Sequence, residues 1–295
     1  MTNEPEAVKE RLRRHVTALS VEIGERTSMN PASLAHAAGY VGRVFEGTGL
    51  RVDEQSYEYR GARVVNLVAT RNDERDPRAY YLVGAHYDTV PGTPGADDNA
   101  SGVAVLLELA HAVASGSLGA PVRLAAFTLE EPPAFMTRNQ GSRVFVRRLA
   151  ETGDRILGAI ILEMVGYTSP RQRYPFVLRF AGYPRAGDYI GIIGNWRSRR
   201  FGRTVLRGFR GNPDLPVESL FVPLNGWLLP ATRLSDHASF WDSGLPAVMV
   251  TDTAFMRNPN YHLPWDTVET LDFDFMTQLV RSLELALAEL PAASG

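Results

Sequence analysis

Acids and imidazoles recur in this chain just after apolar runs. His86 and Asp88 follow Tyr80–Ala85, and Asp97 and Asp98 sit in the loop VPGTPGADDNAS. Glu130 and Glu131 follow Val122–Thr128, Glu163 lies at the end of Ala159–Met164, and Asp236, His237, Tyr261 and His262 flank Leu245–Val250. So many carboxylates converging on one rim repel each other unless cations neutralise them. Histidines among them favour a transition metal over calcium or magnesium. Each piece alone has an ordinary reading: Asp-Asp before a helix is a common N-cap, and Glu-Glu at a strand end is a solvated edge. It is the repetition of the pattern after successive buried strands that points to a metal centre.

The elements that must position these groups can be read from periodicity. Residues 5–25 carry Val8, Leu12, Val16, Leu19 and Ile23 near a 3.6-residue period, which predicts a helix. Asn30-Pro31 starts a second helix that runs to about Glu46. Val52–Tyr59 and Val64–Ala69 read as paired strands around Arg60-Gly61. Tyr80–Ala85 is a short, wholly apolar run of the kind buried on both sheet faces, and Val122–Thr128 and Ala159–Met164 read as two further buried strands. Helices are predicted at Gly102–Ala114, about Ser142–Glu151 and Phe273–Leu290. The alternation implies an α/β fold: a three-layer sandwich with a mostly parallel central sheet and helices on both faces. In such sheets ligands bind outside the carboxyl ends of the strands, where the acids and histidines lie. Residues 166–232 are less regular, with a strand expected at Tyr189–Ile193, a helix near 197–209 and a strand near Val217–Val222. That stretch is rich in arginine (Arg171, Arg173, Arg179, Arg185, Arg197, Arg199, Arg200, Arg203, Arg207, Arg210), either a fork for a substrate carboxylate or a solvated surface.

Composition narrows the chemistry. The 295 residues include no cysteine, which excludes a thiol nucleophile, a disulfide and Cys-type zinc ligation. All but one of the 31 basic side chains are arginine, so a Schiff-base or phosphate-loop lysine could only be Lys9, which no glycine-rich loop precedes. A net charge of −2 argues against nucleic acid as a partner. No apolar run approaches the roughly 20 residues of a membrane helix, so no membrane partner is expected. The opening MTNEPEAVKERLRR lacks the apolar stretch of a secretory signal, so a cytoplasmic location is expected.

The segments GAHYDTV, PGADDNASG, FTLEEPP, ILEMVGY, SDHASFWDSGLPAV and YHLPWDT, in this order, resemble the M28 family of zinc peptidases. That family holds dinuclear zinc aminopeptidases, carboxypeptidase-like members and single-zinc glutaminyl cyclases. The resemblance spans roughly residues 15–290 and is poorest over 166–232. It implies one catalytic domain over 1–295 with the phosphorylase/hydrolase-like fold of zinc aminopeptidases, residues 166–232 shaping the substrate site.

The resemblance also implies roles. Two Zn²⁺ would be held by His86, Asp98 and Glu163, and by Asp98, Glu131 and His262, with Asp98 bridging and a cis peptide at Asp98–Asn99. Asp97 is then a loop or outer acid. Asp88 is placed to accept the far ring N–H of His86. Glu130 is left over as general base. Tyr261 either donates to the developing oxyanion or is a packed aromatic. Asp236 and His237 support the site, Asp266 caps the turn into the C-terminal segment, and His15, His36 and His111 belong to the scaffold or face solvent. Glu163 departs from the aspartate common at that position, so two metals are better supported than strict aminopeptidase specificity. The expected activity is hydrolysis of a peptide or small amide. Single-zinc acyl transfer of the glutaminyl cyclase kind, or a non-catalytic binding protein on the same fold, are the alternatives.

Overall fold

The computed structural model describes residues 4–72, 78–178 and 182–292; Arg179 lies outside the described residues. Helix α1 (Glu4–Thr17) runs on as a π-helical turn, Ala18–Ile23, and buries Leu12, Val16 and Leu19 as the periodicity predicts. Helix α2 (Pro31–Gly47) begins where the Asn30 side chain accepts the Ser33 N–H at 3.3 Å. Proline sits at the first helical position, where its missing N–H has no intrahelical partner to lose. Strands β1 (Arg51–Tyr59) and β2 (Ala62–Thr70) form a hairpin. Its turn residues, Arg60 and Gly61, both have positive φ, which matches the twist of the flanking strands.

From there strands and helices alternate: β3 (Ala79–His86), α3 (Gly102–Ser115), β4 (Val122–Phe127), α4 (Gly141–Thr152) and β5 (Arg155–Glu163). The middle region supplies β6 (Ile190–Asn195), α5 (Arg199–Phe209) and β7 (Val217–Val222). Helix α6 (His237–Asp242), β8 (Ala247–Thr251) and α7 (Phe273–Ala288) complete the chain. The strands form one eight-stranded sheet in the order β1-β2-β4-β3-β5-β8-β6-β7. β4, β3, β5 and β8 are parallel neighbours, as are β6 and β7, while β1/β2, β2/β4 and β8/β6 pair antiparallel.

Side chains alternate between two cores. Val83, Ala85, Ile160, Leu162, Val248 and Val250 face a large core shared with α1, α2, α3, α5 and α7. Leu82, Phe127, Ala159, Ile161 and Ala247 face a smaller one with α4 and α6, around Phe145, Phe240 and Trp241. Phe201, Val205, Leu206 and Phe209 of α5 are buried, whereas Arg199, Arg200, Arg203 and Arg207 are exposed. The arginine density of this helix therefore belongs to its solvated face. No helix among the described residues is long and apolar enough to cross a membrane.

Candidate active site

The site lies where the parallel strands end. His86 closes β3 and Glu163 closes β5, and these strands pair in parallel up to Ala85 and Leu162. Strand alternation sends both side chains to the smaller-core face. Asp98 follows a left-handed Gly95 and precedes α3, with a cis peptide between Asp98 and Asn99. A Cβ on Gly95 would lie 2.3 Å from the Asp98 carbonyl, so the turn requires glycine. Asn99 fixes the loop to the sheet: its amide donates to the Leu162 carbonyl at 2.9 Å, and its Oδ1 accepts from Met164 at 3.1 Å.

The two oxygens of Asp98 face different partners. Oδ1 lies 3.4 Å from His86 Nε2, which is also 3.4 Å from Glu163 Oε2. Oδ2 lies 3.1 Å from His262 Nε2, which is 3.6 Å from Glu131 Oε2. Ligands tetrahedral about zinc at bonds near 2.0–2.1 Å stand about 3.3–3.4 Å apart. His86 Nε2, Asp98 Oδ1 and Glu131 Oε1 are buried without a hydrogen-bond partner among the described residues. Orphaned polar atoms of this kind need a ligand, and an oxygen–nitrogen donor set with two imidazoles suits zinc. The groupings His86–Asp98–Glu163 and Asp98–Glu131–His262 are the two triads anticipated above.

The neighbours of these groups hold them in place, not always as the sequence led one to expect. The Asp88 carboxylate accepts the backbone N–H groups of Glu130 and Glu131 at 3.0 and 3.1 Å. It stands 3.6 Å from His86 Nδ1, whose nearer contact, at 3.2 Å, is the Asp88 backbone carbonyl. Asp88 thus presents both glutamates, and its main chain orients the histidine. Asp266 does not cap a turn: it accepts the N–H groups of Asp97 and Asp98 at 2.8 and 3.0 Å. Asp97 points away from the triads, accepting from Gly166 and Asn258 at 2.9 and 2.7 Å. Asp236 accepts from Gln140 at 2.9 Å, and His237 donates to the Thr232 carbonyl at 2.8 Å. His15 contacts Tyr40 at 2.7 Å, and His36 and His111 are exposed.

Three supporting residues escaped the sequence reading. Ser235 donates to Glu163 Oε2 at 2.6 Å. Asn258 is the amide that fixes Asp97. Arg26, fully buried, donates to the carbonyls of Leu19, Gly24, Tyr87, Pro94 and Gly95, clamping the loop between His86 and Asp98. The Ser-Asp-His segment was a visible signal for Ser235; nothing local marks Arg26.

Without a cation the charges conflict. Burial and the neighbouring acids push Glu130 well above the carboxylate range and Glu131 up to about 8. Burial raises Glu163 as well. Asp98 is held low despite burial by the imidazoles of His262 and His86 beside its two oxygens. Burial works against charge on His86 and His262, yet the acids raise both, His262 to about 10. A divalent cation held by these groups would neutralise the acids in place of the imidazole protons. Glu130 accompanies His86 and Glu131 in a third close grouping. Tyr261 stacks on His262 with ring centroids 3.7 Å apart. Burial, with the charges of Asp98 and Glu131 behind it, keeps its hydroxyl protonated and able to donate.

The profile of peptidase family M28 matches residues 66–205. The uncharacterized protein YfbL of Escherichia coli K12 is 36% identical over 285 residues, covering 93% of this chain and 86% of that one. A probable zinc metalloprotease of Pyrenophora teres is 28% identical over 263 residues, 78% of this chain and 52% of that protein. The chain thus spans about half the length of that fungal relative. Among solved structures, the LapA aminopeptidase of Legionella pneumophila superposes with a TM-score of 0.72 at 20% identity, over 97% of this chain and 73% of that one. A glutaminyl cyclase of Fimbriiglobus ruber superposes with a TM-score of 0.70 at 22% identity, over 96% and 95%. The chain belongs to peptidase family M28. It is a hydrolase of a zinc-dependent peptidase family, with the zinc aminopeptidase fold.

Proposed function

We propose that this chain hydrolyses a peptide or small amide bond at a two-zinc centre, in the manner of an aminopeptidase, with Glu130 as general base. The observation that carries this is the pair of ligand triads sharing Asp98, with one buried glutamate left over. His86, Asp98 and Glu163 would hold one zinc, and Asp98, Glu131 and His262 the other. Bound zinc supplies Lewis acidity, which makes water a nucleophile near neutral pH and polarises a carbonyl. Glu130 takes the proton of the attacking water and delivers it to the leaving amine. The Tyr261 hydroxyl donates to the oxyanion that forms on the scissile carbonyl. Ser235 and Asp88 act through others, holding Glu163 and the Glu130–Glu131 backbone.

Glu130→Gln preserves shape and removes the base. It should keep its full zinc content while kcat/KM on an aminoacyl anilide falls by about 10²–10⁴-fold. A variant with normal zinc and near-normal turnover would end the proposal. The structural likeness to a glutaminyl cyclase favours a second reading, acyl transfer at a single zinc. Cyclisation of an N-terminal glutaminyl peptide with no hydrolysis of aminoacyl amides would select it.

A further inference from the structure

Beside the site a pocket opens on the smaller-core face of the sheet, enclosing about 860 Å³ including its open mouth. One cross-strand row of its floor runs out from the site. Glu163 of β5 is the register partner of Thr251 of β8, Thr251 of Gly191 of β6, and Gly191 of Glu218 of β7. All four line the pocket, with Tyr261 at the same end as Glu163. Register partners point to one face, and each interstrand step is about 4.8 Å. The row therefore leads from a zinc ligand, over a small side chain and a missing one, to a carboxylate about 14 Å away, backbone to backbone.

The walls are apolar and aromatic, with Leu220, Leu229, Met249 and Phe255 among them. Tyr174 and Tyr183 also line it, stacked with ring centroids 5.7 Å apart. Their hydroxyls are engaged, Tyr174 on the Pro184 carbonyl at 2.6 Å and Tyr183 on the Ser219 carbonyl at 3.1 Å. Burial first and the Glu218 charge second hold the Tyr183 hydroxyl above the phenol range, so the carboxylate acts on this wall. Glu218 itself is half-buried, and its carboxylate makes no hydrogen bond or ion pair among the described residues. The nearby cation Arg257 lies over the Tyr189 ring, engages Gln172 and the Tyr167 carbonyl, and does not line the pocket.

We infer that this pocket receives a long side chain with a cationic head, of lysine or arginine type, whose stem lies over Thr251 and Gly191 and whose charge meets Glu218. The inference rests on the aminopeptidase reading for the placement of the substrate, since it takes the side chain next to the scissile carbonyl to enter past Glu163 and Tyr261. A short side chain stops over Gly191. A long neutral one fills the trough but leaves the carboxylate desolvated and unpaired, which disfavours it. The cation pairs with Glu218 and lies against tyrosine rings. At Gly191 an added Cβ would have only ordinary contacts, the nearest at 3.4 Å, so the position has room for the first atom of a side chain that narrows the trough.

Two measurements test it and separate it from the reading it rests on. In calorimetry, n-butylguanidinium should bind the protein at least about tenfold more tightly than the neutral isostere n-butylurea. Glu218→Gln should abolish that preference, and Gly191→Val should weaken both ligands. In the zinc-loaded enzyme, the ratio of kcat/KM for arginyl over norleucyl 4-nitroanilide should fall at least about tenfold in Glu218→Gln. No binding of n-butylguanidinium, equal binding of the two probes, or a preference that survives Glu218→Gln overturns the pocket assignment. Norleucyl turnover without any Glu218-dependent preference overturns it while leaving the aminopeptidase reading intact. A Glu218-dependent guanidinium preference without aminoacyl turnover does the reverse.

Discussion

Replacing Arg26 by lysine or methionine is the sharpest probe of how the scaffold holds its centre. The guanidinium donates to five carbonyls at 2.7–2.9 Å, drawn from the end of α1 and from both ends of the loop that joins His86 to Asp98. Burial lowers its pKa to about 10, so it stays charged at neutral pH. That displacement, in which the charges of Asp266, Asp88, Asp98 and Glu131 offset part of the burial, corresponds to a net penalty of about 3 kcal/mol. With the two hydrogens of Nη1 shared among three carbonyls, these contacts amount to about four full bonds from a charged donor, at roughly 1.5–3 kcal/mol each, which outweigh it and leave a net contribution of about 3 kcal/mol or more. Methionine keeps the volume and orphans the carbonyls, a loss comparable with the whole stability of many domains, about 5–15 kcal/mol. Lysine keeps the charge but can reach at most three acceptors, so Arg26→Lys should cost about 3 kcal/mol. For a chain of this length that is a fall of about 5 °C in Tm. Urea unfolding of the metal-free protein gives the first number, and competition against a chromogenic chelator gives the zinc affinity, which should fall because the displaced loop carries Asp98. An Arg26→Lys variant within about 1 kcal/mol of wild type, with unchanged zinc affinity, would refute the clamp.

Two further outcomes follow from buried groups around the site. His237 donates from Nε2 to Thr232, its Nδ1 has no partner among the described residues, and burial lowers its pKa to about 4. The unfolded chain binds this proton first, so the contribution is complete above pH 6.5 and is lost as pH falls from 6.5 towards 4, about 3 kcal/mol in all. The stability of the metal-free protein between pH 7.5 and 4.5 should therefore fall less steeply in His237→Gln; parallel profiles would contradict this. Ser235→Ala removes the 2.6 Å bond to Glu163 and should weaken zinc binding about tenfold with little change in metal-free stability. An unchanged zinc affinity would assign Ser235 to packing alone.

What was legible from the chain alone follows physical lines. The wholly apolar run Tyr80–Ala85 read as a strand buried on both faces, and it ends in a chemical group, His86, because a parallel sheet gathers its strand ends on one rim. Residues as far apart as His86 and His262 were thus brought together by topology. The order of strands was not legible: β6 reverses against β8, and the two strands expected within 166–232 pair with each other at one edge of the same sheet. Asp266 was misassigned and half of the Asp88 role was missed, because both accept backbone N–H groups, which leave no mark in a sequence. Arg26 was invisible for the same reason, since its partners are carbonyls up to 69 residues away. The Glu218 row needed the register of four strands before a charge on an edge strand could be connected to Glu163.

The measurement that bears most directly on the shared-aspartate centre is zinc content by mass spectrometry after dialysis, for the wild type and for Asp98→Asn. With Asp98 facing both histidines, the wild type should hold close to two zinc ions per chain. Asp98→Asn should lose affinity at both positions together. One tightly held zinc in the wild type, or a single position lost in Asp98→Asn while the other binds as before, would contradict the account.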